Sequence, residues 1–491
     1  MKKHGFNPFL PSWEYIPDGE PHIFGSGINK RVYLYGSHDK FNGYAYCLND
    51  YVCWSADCDD LTNWRCEGVI YKKTDDPLNK DGSMNLYAPD VTQGSDGRYY
   101  LYYVLDKADV ISASVCSSPS GKFEFLGYVH YPDGTLLGKK ENDVPQFDPA
   151  VLTEGDKTYI YSGQCTGKGK VVEDYRNYSI AAVLGADMLT IQEGPFPLIP
   201  GINASAGTGF EGHEFFEASS IRKIDDTYYF IYSSYTMNEL CYAASKNPLS
   251  GFKYGGVIVS NADLNIDTYK PARKQMYFGN NNHGSIAQIA GKWYVFYHRH
   301  TNGNEFSRQA CLEPVKFNED GSINQVEMTS CGPNAEPLPG FGEYPAYIAC
   351  NIFSMNEISP PLKTYWPNRN PEMPFITQDI CDVTSLDVTS SDLSNNESGF
   401  IANILDNCGA GFKYFNCKGV TKLTVKIRGY CRGYFEVKTK WDSQPLGKID
   451  IVSSNIWKEF SAGITIPDGI NAIYFIYKGT GSPNLGSFKL G

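Results

Sequence analysis

Arg31-Val-Tyr-Leu-Tyr35 is a short run of alternating, β-branched and aromatic residues, and the chain repeats it four more times. The other copies are Arg98-Tyr-Tyr-Leu-Tyr-Tyr103, Lys157-Thr-Tyr-Ile-Tyr161, Thr227-Tyr-Tyr-Phe-Ile-Tyr232 and Lys292-Trp-Tyr-Val-Phe-Tyr297. Such residues fit a pleated, half-buried surface, so each copy reads as a strand. Aligning Tyr33, Tyr100, Tyr159, Tyr229 and Tyr294 gives spacings of 67, 59, 70 and 65 residues. Four strands with their turns fill about that length. A period of this size points to radial repetition of four-stranded sheets, a β-propeller, and five copies predict five blades over residues 1–332.

A polar residue stands ten to fifteen positions before each aligned tyrosine: Asp18 in Pro-Asp-Gly, Asp90 in Ala-Pro-Asp, Asp148 in Phe-Asp-Pro, Glu217 in Phe-Phe-Glu-Ala and His283 in Asn-His-Gly. The first strand of a propeller blade lines the central channel. A shared phase therefore aims one polar group per blade at a common axis, whereas independent turn residues have no reason to keep step. Carboxylates gathered in one pocket raise one another's pKa, so one serves as an acid near neutrality while another stays a base. Glu217, between Phe215-Phe216 and Ala218, has the apolar setting of an acid. Asp18, beside Gly19 and Glu20, has that of a base. Asp90 is expected as a third member that holds the acid's orientation and protonation.

The remaining composition narrows the function. With 43 Lys and Arg against 55 Asp and Glu, the net charge is −12, which disfavours nucleic acid and anionic membranes as partners. No apolar stretch is long enough to span a membrane. The opening Met1-Lys-Lys-His-Gly-Phe-Asn-Pro8 lacks an apolar core and does not read as a secretory signal, which makes the cytoplasm the expected compartment. Fourteen scattered cysteines without a CxxC pair read as reduced and buried. Trp54 and Trp64 read as core of the first blade.

Nine prolines between residues 333 and 374 mark a connector, expected over 333–375 and packed back on the propeller. From 376 to 491, short alternating runs recur at intervals of about ten residues, at Gly399-Phe-Ile-Ala-Asn-Ile, Gly411-Phe-Lys-Tyr-Phe, Lys422-Leu-Thr-Val-Lys-Ile, Tyr434-Phe-Glu-Val-Lys-Thr, Lys448-Ile-Asp-Ile-Val and Ala472-Ile-Tyr-Phe-Ile-Tyr. Regular short strands separated by turn residues predict a β-sandwich. The fold class is thus all-β, a five-bladed propeller followed by a sandwich.

The stretches "PDGEPHIFGSGINKRVYLYGSHD", "LYAPDVTQGSDGRYYLYYV", "FFEASSIRKIDDTYYFIYSS", "HGSIAQIAGKWYVFYHRH" and "RQACLEPVKFNEDG" together resemble glycoside hydrolase family 43. The resemblance implies an inverting hydrolase that removes arabinofuranose or xylose, with Asp18 as general base, Asp90 as pKa modulator and Glu217 as general acid. It further implies that Arg308 lies near the sugar, that Asp148 and Tyr87 contact substrate, and that His283 sits beside a central metal ion, calcium held through water, with no cofactor required. Pro-Asp-Gly replaces the common Asp-Pro, and Tyr87 replaces a frequent Trp. "GFIANILDNCGAGFKYFNCKG" and "NAIYFIYKGTGSPNLGSFKL" resemble a family 6 carbohydrate-binding module, for which a structural or pocket-completing role is expected. The expected activity is exo-release of α-L-arabinofuranose from arabinoxylan- or arabinan-derived oligosaccharides. The alternatives are a β-D-xylosidase, a galactan- or arabinogalactan-directed hydrolase, and a non-catalytic glycan binder.

Overall fold

The structure, a computed structural model, describes residues 5–141, 143–165, 177–266, 280–356, 370–379 and 399–491. The first five sheets are the blades. Four of them have four antiparallel strands and the fifth has three. The five aromatic repeats form the second strand of successive blades, Arg31–Tyr35, Tyr99–Val104, Lys157–Ser162, Thr227–Ser234 and Lys292–His300. The innermost strands are Glu20–Phe24, Asp90–Gln93, Ala150–Glu154, Phe215–Ile224 and Ser285–Ile289.

Alternation explains why the aromatics are needed on both sides of these strands. Tyr100, Tyr102 and Val104 pack against Val151, Ile160 and Ile180 of the third blade. Their neighbours Tyr99, Leu101 and Tyr103 face the other way, onto Tyr35, Tyr51 and Cys53 of the first. The same division gives a core between the third and fourth blades around Tyr161, Phe215 and Phe230. Successive strand residues point to opposite faces, so a blade buried on both faces must be apolar at every position.

The ring is closed by the chain's first residues. Asn7 and Phe9 donate backbone bonds to Ser330 and Ala310, and the Gln309 side chain donates to the carbonyls of Ser12 and Glu14. Phe9, Leu10, Trp13 and Ile16 wedge between Val32, Leu34 and Trp54 of the first blade and Phe296 and Leu312 of the fifth. Trp54 and Trp64 are 1% and 7% exposed and belong to this core, as the sequence implies.

Among the described residues the C-terminal region is a single curled sheet of ten strands. Its central strands are Cys408–Cys417, Lys422–Lys438, Gly447–Gly463, Gly469–Gly481 and Asn484–Leu490. The runs at Lys422 and Tyr434 fuse into one strand instead of two. The pairing slips on either side of Gly429 (φ +128°), a residue without Cβ that bends the strand without ending it. The expected connector also contributes strands. Leu338–Pro339, Gly342–Pro345 and Asn351–Ser354 all join this sheet, and part of the connector lies outside the described residues. One hydrophobic core runs from Tyr229, Ile231, Val295 and Tyr297 of the last two blades into Phe412, Leu423, Phe475 and Phe488. The two regions are thus packed as one body.

The thirteen cysteines among the described residues are free. Among those residues no helix is long and apolar enough to cross a membrane.

Candidate active site

Backbone register sets the height of each blade on the axis. Glu20 pairs with Tyr35, Asp90 with Tyr102, Ala150 with Tyr161, Ser220 with Ile231 and Ser285 with Phe296. Each partner lies two residues beyond the aligned tyrosine of its blade. These five residues therefore form one ring around the channel. Two residues earlier stand Asp18, Ala88, Asp148, Ala218 and His283, a second ring about 7 Å along the strands.

The second ring faces a pocket of about 540 Å³, which is lined by Asp18, Ala88, Asp148, Glu217, His283 and Arg308, with Tyr46, Tyr87, Phe147, Gln164 and Glu305 around them. In the fourth blade the pairing slips between Phe215 and Ser220, and Ala218 has φ +68°. That bulge brings Glu217 into the pocket in place of Ala218. Asp18 (φ +58°) and Asp148 (φ +44°) are also left-handed, a conformation that aspartate tolerates better than most residues and that clusters at functional sites.

Asp90 does not line this pocket, contrary to expectation. It sits in the deeper ring, fully buried, with Oδ1 2.7 Å from His22 Nε2 and Oδ2 accepting the Val151 amide at 2.8 Å. Its pocket-level counterpart is Ala88. The physical reason is register: Asp90 opens its strand, whereas Asp18 and Asp148 precede theirs by two residues. The deeper ring closes the pocket floor. Glu20 there is 1% exposed and pairs with Arg222 Nη2 at 2.6 Å, and Ser220 bonds Ser285 at 2.7 Å.

Arg308 is buried between two carboxylates. Its Nη1 donates to both oxygens of Asp18, at 3.0 and 3.2 Å, while Nε and Nη2 form a fork on Asp39 at 2.9 and 3.0 Å. Ser37 adds a 2.5 Å bond to Asp18 Oδ2. Asp18 is thereby fixed as an acceptor at the pocket wall. Opposite, Asp148 Oδ2 accepts the Ala218 amide at 3.1 Å, and Gln164 Nε2 donates to Glu217 Oε2 at 2.7 Å. Burial, then the Glu217 and Asp18 carboxylates, push the Asp148 carboxyl well above the usual range. Tyr87 stands edge-on to Phe147, ring centroids 5.4 Å apart, as an aromatic wall.

His283 Nδ1 lies 3.8 Å from Asp18 and 3.6 Å from Asp148, and burial lowers its pKa to about 4, so it is a neutral imidazole between two carboxyls. Calcium takes six to eight oxygen ligands. Around His283 the Asp18 oxygens already take Arg308 and Ser37, and Asp148 Oδ2 takes a backbone amide. These residues do not fit a direct calcium cage.

Asp39, Ser37, Gln164 and Glu305 are members of the site that the sequence reading missed. Ser37 and Asp39 follow directly on the first aromatic repeat, a position that could have flagged them. Glu305 and Gln164 lie in loops with no distinguishing pattern.

Carboxyls converging on an axial pocket of a five-bladed propeller suit acid–base cleavage of a glycosidic bond, and the sequence profile of glycosyl hydrolases family 43 matches residues 24–323. A xylosidase/arabinosidase of Thermoclostridium stercorarium is 63% identical over 491 residues, covering 100% of this chain and 99% of that protein. An arabinoxylan arabinofuranohydrolase of Paenibacillus polymyxa is 26% identical over 517 residues, covering 98% of this chain and 72% of that one. A family 43 β-xylosidase/α-arabinofuranosidase from a compost microbial metagenome, solved with xylotriose in a calcium-free form, is similar at 25% identity and a TM-score of 0.50, over 66% of this chain and 98% of that one. The chain belongs to glycoside hydrolase family 43 and is a carbohydrate-cleaving enzyme.

Proposed function

We propose that the enzyme is an exo-acting, inverting glycosidase that releases terminal α-L-arabinofuranose from short arabinoxylan- or arabinan-derived oligosaccharides. The observation that carries this reading is the convergence of Asp18, Asp148 and Glu217 on one blind pocket. The exo mode is the reading that the xylosidase/arabinosidase name of the 63%-identical relative supports. Asp18, steadied by Arg308 and Ser37, is the base that takes a proton from the attacking water. Glu217, bonded by Gln164, is the acid that protonates the departing oxygen. Asp148 takes the modulating role first assigned to Asp90: its buried carboxyl faces Glu217, and a second like charge beside an acid disfavours loss of the acid's proton, which a general acid needs. With Asp18 acting as a base on water and not as a nucleophile on the sugar, hydrolysis inverts the anomeric centre.

A β-D-xylosidase activity is the second reading. It is favoured by the double name of the 63%-identical relative. Initial rates on 4-nitrophenyl α-L-arabinofuranoside and β-D-xyloside separate the two. Cleavage of neither overturns both.

A further inference from the structure

Glu305 is the fourth carboxylate of the pocket, and the acid–base chemistry leaves it without a task. It lies on the loop between Lys292–His300 and Arg308–Val315, is 3% exposed, and lines the same cavity as Asp18 and Glu217.

Its setting is built. Tyr46 Oη donates to Glu305 Oε2 at 2.8 Å, and Asn281 Nδ2 donates to Tyr46 Oη at 2.7 Å. The Tyr46 ring is clamped edge-on to Phe306, centroids 4.7 Å apart, beneath the Arg308 guanidinium at 4.9 Å. The loop itself is tied by the Phe306 amide on Asn304 Oδ1 and by Ser307 Oγ on the Asn304 carbonyl. Arg308 thus links the two halves of the site: one face of its guanidinium orders Tyr46, while its edge holds Asp18. A rigid, buried acceptor facing a pocket that admits one sugar end is matched by hydroxyl donors.

We infer that Glu305 is a substrate-recognition residue whose carboxylate, oriented by Tyr46, accepts a hydrogen bond from one hydroxyl of the terminal pentose. The inference rests on reading the pocket as the glycosidic site. It adds a specificity element outside the acid–base set.

The test is kinetic. kcat/KM is measured for whichever 4-nitrophenyl pentoside the wild-type enzyme cleaves, and for its three monodeoxy analogues, with wild type, Glu305→Gln and Tyr46→Phe. A hydrogen bond to a charged partner is worth enough that Glu305→Gln should lose about 10- to 100-fold on the intact glycoside. On the one analogue lacking the contacted hydroxyl, wild type and variant should become nearly equal. Tyr46→Phe should show the same selectivity with a smaller loss, and it answers the question alone if Glu305→Gln does not fold. Equal proportional losses on all three analogues, or no loss on the intact substrate, overturn the inference and leave the proposed function standing. A wild-type enzyme inert on every pentoside overturns the proposed function, and the inference with it.

Discussion

Asp148 Oδ2 accepts the backbone amide of Ala218 at 3.1 Å, across the seam between the third and fourth blades. The bond fastens Asp148 to the residue that follows Glu217, at the bulge that turns Glu217 into the pocket. Asp90 makes the equivalent bond one seam earlier and one ring deeper, to the Val151 amide of the third blade. Each carboxylate thus positions the blade after its own.

This relationship separates two residues that look alike in sequence. Asp148→Asn should lower kcat by about 10²–10⁴, the range expected when acid–base assistance is impaired, and should move the alkaline limb of the pH–rate profile, which the general acid sets, to lower pH. Asp90→Asn should cost far less in kcat and show chiefly as a lower melting temperature, because it weakens the His22 pair and the Val151 bond. Equal kinetic damage from both would contradict the ring assignment.

The leaving group distinguishes the acid from the base. Glu217→Ala should cripple substrates with poor leaving groups much more than activated aryl glycosides, which need little protonation. Asp18→Ala should cripple both by about 10²–10⁴. Proton NMR should show the first-formed sugar with the anomer opposite to the substrate's. A retained anomer would rule out Asp18 as a base on water.

Arg308 holds two buried carboxylates at once. Arg308→Ala leaves both uncompensated, and unfolding free energy should fall by about 3–5 kcal/mol. Arg308→Lys keeps the charge but cannot reproduce the fork on Asp39, so it should recover part of the stability and little of kcat/KM. Denaturant melts beside steady-state kinetics check both.

Glu20 gives a pH signature. Burial outweighs the attraction of Arg222 and raises its pKa from 4.5 to about 8. Between those values the folded chain holds a proton that the unfolded chain has released, so stability is present at low pH and is lost as pH rises to about 8. Wild type minus Glu20→Gln should show that loss, on the order of 5 kcal/mol, with no slope beyond the window. A flat difference between pH 5 and 8 would refute it.

The shared core makes the C-terminal sheet a structural necessity. Removing residues 333–491 exposes Tyr229, Ile231, Val295 and Tyr297 and deletes the bond from the Ser330 amide to the Lys413 carbonyl. The truncated propeller should be poorly soluble, and the full chain should melt in a single calorimetric transition. Two resolved transitions would show that the regions fold independently.

The sequence by itself determined the propeller, because a blade buried on both faces writes aromatic and aliphatic residues at every position of its second strand, five times over. It also determined that Asp18, Glu217 and His283 share an axis, because repeat phase survives in the spacing of residues. It did not determine depth. A shift of two residues along a strand leaves the side chain on the same face and moves it by about 7 Å, and spacings of ten, eleven, twelve and fifteen residues before the aligned tyrosines cannot resolve such a shift across turns of unequal length. Tertiary structure decided it: hydrogen-bond register put Asp90 in the floor and Asp148 at the site, and a bulge at Ala218 turned Glu217 inward. It alone also brought Gln164 and Glu305 to the pocket, from loops whose ends are fixed by the blades and whose residues follow no period, and set Asp39 against Arg308.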